Sequence, residues 1–249
     1  MLAERGAMSR FNRFARARIQ AGEPNLTESA MHRMTASSTA ALVALCLATG
    51  AFARGVDIDK VNGSIHIESS QQAGDLGTVN GSIRVDDGAS AAKVSTVNGA
   101  IELGERVTAD TAETVNGGIE LGVGARISGS VSSVNGGVRL ARDAEIAGHA
   151  SNVNGRFVLD AAHIGGGIET VAGDIEIGAD SHVEGGIVVD KPHGLSWGKP
   201  RNPRIVIGPR AVVQGTLEFR REVDLYVSDS AKVGEIKGAK PQAFSGDRP

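Results

Sequence analysis

A seven-residue phrase recurs along the chain as VNGSIHI from Val61, VNGSIRV from Val79, VNGAIEL from Val97, VNGGIEL from Val115, VNGGVRL from Val134, VNGRFVL from Val153 and VAGDIEI from Val171. The steps between successive phrases are 18, 18, 18, 19, 19 and 18 residues. A period this short, with alternating and not helical patterning inside it, makes each repeat one coil of a solenoid that buries its apolar face only against its neighbours. The expected fold is therefore all-β: a single-stranded, three-sided parallel β-helix with about 18 residues per coil, and a right-handed coil is expected.

One coil shows the pattern. From Val115 the residues Val115, Ile119, Leu121, Ala125, Ile127 and Val131 are apolar, with Glu120, Arg126 and Ser128 between them; Val134, Val138, Leu140, Ala144, Ile146 and Ala150 repeat the set in the next coil. Alternation over short stretches is the signature of half-buried strands, so the first set is expected to face inward. Aromatic residues make up only 3% of the chain and glycine contributes 34 residues, which suits a narrow core turned by tight bends.

Gly63, Gly81, Gly99, Gly117, Gly136, Gly155 and Gly173 hold the third place of every phrase, and Asn62, Asn80, Asn98, Asn116, Asn135 and Asn154 precede six of them. Asn and Gly tolerate positive φ, so the pair is expected to turn a left-handed corner. Stacked coils would set the amides above one another as a ladder. After Val171 the phrase degrades but its apolar spacing persists. Ile205 and Ile207 are expected to recur as Val223 and Leu225, giving seven to nine coils over 54–237 and a loose polar tail over 238–249.

The first 53 residues differ from the rest, carrying six Arg against Glu4, Glu23 and Glu28, whereas the remainder holds 20 basic and 26 acidic residues. Met31 to Arg33 begin a basic stretch, Ala40 to Ala48 form an apolar run too short to span a bilayer, and Ala51, Phe52 and Ala53 read as a cleavage site. An export signal cleaved after Ala53 is expected, with translation starting at Met31 or Met34. The alternative is a basic amphipathic surface helix built on Phe11, Phe14, Ala15 and Ile19. Cys46, the only cysteine, lies inside the apolar run, so cleavage would leave no thiol and no disulfide. The mature chain is expected in the periplasm or at the cell surface, with no transmembrane span. Its acidic balance argues against nucleic acid as a partner.

Chemistry is sparse. The outward position of the phrase reads His66, Arg84, Glu102, Glu120, Arg139, Val158, Glu176. Such mixed signs suit a solvated ladder and not a paired acid and base. His163 and His182 share a place in successive coils, where two imidazoles at strand spacing could share a metal. Arg126 and Glu145 at the same place favour a variable surface ladder, so no catalytic, cofactor or metal residue is assigned. An insertion over 190–204 interrupts the repeat. Lys191, His193, Trp197, Lys199, Arg201 and Arg204 make it the candidate contact loop, suited to an envelope glycan, a lipid headgroup or another protein.

The seven phrases resemble the adhesin-type repeats of bacterial exported proteins, in which VxGxIxV coils stack into a β-solenoid. That resemblance covers about Val61 to Val189. It implies an envelope or surface protein and no catalytic residues. The segment RIVIGPRAVVQGTLEFRREVDLYVSDSAKVGEIKG from Arg204 is similar to bactofilins, which implies end-to-end self-association into a scaffold. IGADSHVEGGI and IGPRAVVQGTL also resemble hexapeptide units, which leaves an acyltransferase or metal-dependent hydrolase as a further alternative. The expectation is a non-catalytic, structural or adhesin-like envelope solenoid.

Overall fold

A computed structural model describes residues 55–192 and 201–249. The export segment expected over 1–53, with Cys46, and the insertion residues His193, Trp197 and Lys199 lie outside the described residues. What is described is an all-β parallel solenoid of ten coils with three faces, and it contains no helix. The first face has ten strands, running from Val56–Asn62 and Ala73–Asn80 to Leu217–Phe219 and Ile236–Lys237. The second also has ten, from Ile65–Ile67 to Gln242–Phe244. The third has seven two-residue strands, from Thr108–Ala109 to Lys232–Val233, extended toward the N-terminus by the bridges Gln72 to Ser90 and Ser90 to Thr108.

Coil spacing keeps residues of one place in register. Ile83, Ile101 and Ile119 are consecutive partners on the second face, and Asn80, Asn98 and Asn116 on the first. The core is a stack of aliphatic layers, such as Ile119, Leu121, Ala125, Ile127, Val131 and Ala112, all buried. Ten coils exceed the seven to nine expected, and the added length comes from the C-terminal residues. The segment from Gly238 is not a loose tail: Gln242–Phe244 pairs in parallel with Tyr226 to Ser228. The register there also differs from expectation, since Ile205 and Ile207 partner Leu225 and Val227, two residues further on than an 18-residue step.

The valine of the phrase does not face the core. Val61 is 69% exposed, and Val115 and Val134 are half-buried. The inward residue is the one before it: Thr78, Thr96, Thr114, Ser133, Asn152 and Thr170, each at most 5% exposed. The reason is the corner that follows. Thr78, Thr96 and Thr114 each donate from Oγ1 to the carbonyl of the corner glycine one coil earlier, Gly63, Gly81 and Gly99, at 3.1, 2.9 and 3.1 Å. Ser133 donates to Gly117 at 3.2 Å. A carbonyl partly withdrawn from water requires a donor, and a β-branched hydroxyl supplies one while filling a strand position. Where the phrase ends, the same place turns apolar, as Val189 and Phe219.

The Asn-Gly corner is also not left-handed in most coils. Of the seven glycines only Gly63 and Gly155 have positive φ, at 114° and 142°. Glycine is needed there for a different reason: a Cβ at Gly81, Gly99, Gly117, Gly136, Gly155 or Gly173 would run into the carbonyl of the corner glycine one coil earlier. The coils are stacked backbone on backbone, leaving no room for a side chain. The left-handed corner lies instead after the second face. There Ser70, Gly88, Arg106, Gly124, Asp143, Ala161, Asp180 and Arg210 occupy one place in eight successive coils with φ between 46° and 68°.

Candidate functional site

Outside the core, four places bring polar groups together in ways that bear on function. The first is the asparagine ladder. Nδ2 of Asn80, Asn98, Asn116, Asn135 and Asn154 donates to Oδ1 of the asparagine one coil earlier at 2.9–3.1 Å. Asn80, Asn98, Asn116 and Asn135 thus use both ends of the amide along the stack, and the row binds the coils to one another.

The second is the charged row of the second face. Arg84 lies 3.1 Å from Glu102 and 3.6 Å from Asp86, which also contacts His66 at 2.7 Å. Arg84, Asp86 and Glu102, with Glu120 and Arg139, border an open groove of about 290 Å³. The signs are mixed, with Arg84 beside Glu102 and Arg139 beside Glu120, as in a solvated surface ladder.

The third place is the base of the insertion. Asp174, whose side chain is 14% exposed, receives two hydrogen bonds from Arg201 Nη2, both at 2.9 Å, and one from the Arg204 amide at 2.9 Å. Burial raises the pKa of this carboxyl, but the Arg204 amide, the Arg201 guanidinium and the charges of Arg201 and Arg156 outweigh it and leave it below its ordinary value. The Arg204 guanidinium lies over the Tyr226 ring, 5.1 Å from its centre, and Arg221 donates to the carbonyls of Val171 and Arg201. Two of the cations assigned to the contact loop, Arg201 and Arg204, therefore anchor its return to the solenoid. Lys191, on the outgoing side, is exposed.

The fourth place is on the third face, where Glu145, His163 and His182 are consecutive partners. His149 is apart from them, opposite Gly167 on the first face. The His163 and His182 rings lie 5.4 Å apart, centre to centre, with planes tilted by 56°. His163 Nε2 is 3.2 Å from Glu184 Oε1 and its Nδ1 is 3.9 Å from Glu145 Oε1, while His182 Nε2 is 3.0 Å from the Gln214 amide nitrogen. One ligand atom from each of His163, His182 and Glu184 lies within 4.8 Å of the others. Toward the N-terminus this cluster meets an open groove of about 330 Å³ bordered by Asp110, Arg126, Ser128 and Glu145.

Sequence reasoning paired His163 with His182 but passed over Glu184. Gly165 is the equivalent residue one coil earlier, since Glu184 donates its amide to Ile164 just as Gly165 donates to Ile146. Glu184 reaches back one coil to His163, with its Oε1 3.2 Å from His163 Nε2. No family model, curated protein or solved structure matches the chain; the likeness to adhesin-type repeats and bactofilins rests on the repeat residues alone.

Proposed function

We propose that the protein is an exported, non-catalytic solenoid that serves the bacterial cell envelope as a rigid structural or adhesive element. The observation that supports this most directly is the uniform register of the coils, in which three faces, an asparagine ladder and an internal hydroxyl ladder all serve to hold one coil on the next. Such a body presents long rows of side chains at fixed spacing of about 4.8 Å, the geometry of a display surface for an extended partner. The export signal read over 1–53 gives it its compartment. The exposed Lys191 side of the insertion and the outward rows supply the contacts, with an envelope glycan, a lipid headgroup or another protein as the partner.

The test is accessibility in the native bacterium. Membrane-impermeant biotinylation of cells with a permeabilised outer layer should label Lys191 and other solenoid lysines. Labelling only after cytoplasmic lysis would overturn the proposal.

A second reading, end-to-end assembly into a scaffold, draws on the open edge of the last coil. That edge consists of the short strands Lys232–Val233, Ile236–Lys237 and Gln242–Phe244. Lysines and the nearby Pro241 blunt a strand edge against pairing, so the purified chain is expected to stay monodisperse. Light scattering decides. Phe219 is buried and cannot serve as an end contact, whereas Val233 lies in the last strand of the third face. Filaments that Val233→Glu abolishes would favour the scaffold.

A further inference from the structure

We propose that His163, His182 and Glu184 bind one divalent transition-metal ion of the borderline class to which Zn²⁺ belongs. The proposal does not rest on the envelope reading, since it follows from the third face alone.

Register puts the three groups together. His163 and His182 are direct partners on adjacent strands, and Glu184 follows His182 by two residues, on the same outward side. His163 and His182 are half-exposed and Glu184 is exposed, so the ion has a free approach. Tetrahedral zinc with bonds of about 2.0–2.1 Å holds its ligand atoms about 3.3 Å from one another. His163 Nε2 and Glu184 Oε1 already stand at 3.2 Å. The widest separation in the trio is within 4.8 Å, so closing it takes a movement of about 1.5 Å, which side-chain rotation at a surface supplies.

The surroundings complete the pattern. A metal-bound histidine almost always has its other ring nitrogen held by a carboxylate, a carbonyl or another polar group. With His163 Nε2 turned to the ion, Nδ1 faces Glu145 Oε1 at 3.9 Å. With His182 Nδ1 turned to the ion, Nε2 faces the Gln214 amide at 3.0 Å, and that amide can offer its oxygen to an Nε2 proton. A simple ion pair between His163 and Glu184 would explain one of these four contacts. It would not explain a second imidazole within reach of the same point or an orienting partner outside each ring. His66 and Asp86 show what a simple pair looks like here: 2.7 Å apart, with no second imidazole beside them.

The donor set selects the metal. Two imidazoles with one carboxylate suit Zn²⁺, Ni²⁺ or Cu²⁺, whereas Ca²⁺ and Mg²⁺ require mostly oxygen ligands. Three protein donors leave one position open to solvent. The ion would also clamp the coil of His163 to the coil of His182, so binding should raise the melting temperature.

The experiment titrates the full chain, stripped with EDTA and dialysed, with zinc sulfate by isothermal calorimetry. Circular dichroism verifies that each variant is folded. One Zn²⁺ per chain is expected. Affinity should fall at least tenfold in His182→Ala and in Glu184→Gln, and about tenfold in Glu145→Gln, while His66→Ala should bind as the parent does. The melting temperature should rise with zinc in the parent and not in a folded His163→Ala/His182→Ala double variant. Absence of stoichiometric zinc binding, or undiminished binding by that double variant, would overturn the site. Calcium sulfate binding as tightly and with the same dependence on His163 and His182 would overturn the assignment of metal class.

Discussion

Thr96 Oγ1 donates a 2.9 Å hydrogen bond to the carbonyl of Gly81 in the preceding coil, inside the solenoid. That bond couples two features of the repeat, the backbone-on-backbone corner and the polar residue ahead of it. Replacing Thr96 with Val keeps the shape and β-branching but removes the donor, leaving the part-buried Gly81 carbonyl without it. The expected cost is about 1–2 kcal/mol of unfolding free energy, with Thr96→Ser losing less. Urea denaturation of the three chains checks this, and a Thr96→Val chain as stable as the parent would remove the hydroxyl ladder from the account.

Gly117 and Gly118 are neighbours with opposite expectations. A Cβ at Gly117 would run into the Gly99 carbonyl, whereas one at Gly118 meets nothing closer than the Gly137 carbonyl at 3.4 Å. Gly117→Ala should therefore destabilise by about 1–3 kcal/mol or more, as overpacking against rigid backbone does. Gly118→Ala should stay close to the parent. Equal thermal midpoints for the two variants would contradict the close-stacked corner.

The corner after the second face carries residues in the left-handed region that have a side chain, among them Arg106 at φ 53° and Ala161 at φ 46°. Each costs about 1 kcal/mol there relative to glycine. Ala161→Gly is expected to raise stability by up to about 1 kcal/mol, less the entropy glycine adds to the unfolded chain. Gly124→Ala, at φ 67° in the same place, should lower it. Denaturation midpoints that move the opposite way would contradict the placement of the corner.

Asp174 gives the solenoid an acid-sensitive joint at the base of the insertion. Its pKa lies below the ordinary value because the Arg204 amide and Arg201 outweigh the effect of burial. A carboxyl whose folded pKa is lower than its unfolded value of about 3.9 stabilises the fold fully above that value and loses the contribution as pH falls through the folded one. Asp174→Asn should be less stable than the parent at neutral pH, with the gap closing below about pH 4. Parallel stability curves from pH 7 to pH 3 would show that Asp174 carries no such linkage.

The period and the three-faced parallel fold were legible because stacking imposes the same residue type on every coil. The phase of the first face was not. Val and Thr are both β-branched and adjacent, so alternation fits either one inside; only the inward carbonyl of the corner glycine decides for Thr96 over Val97. The left-handed corner was misplaced for a related reason. Glycine at Gly99 signals close approach, while the true left-handed place admits Ser70, Arg106 and Ala161, which carry no sequence mark. Glu184 was missed because its contact with His163 runs diagonally between adjacent coils, two residues past the register partner His182.

The central claim, an exported solenoid of the envelope, meets its most direct test in the intact mass of the native protein from fractionated cells. The account predicts an envelope or periplasmic species with the mass of a chain beginning at Arg54. A full-length species confined to the cytoplasm would contradict it.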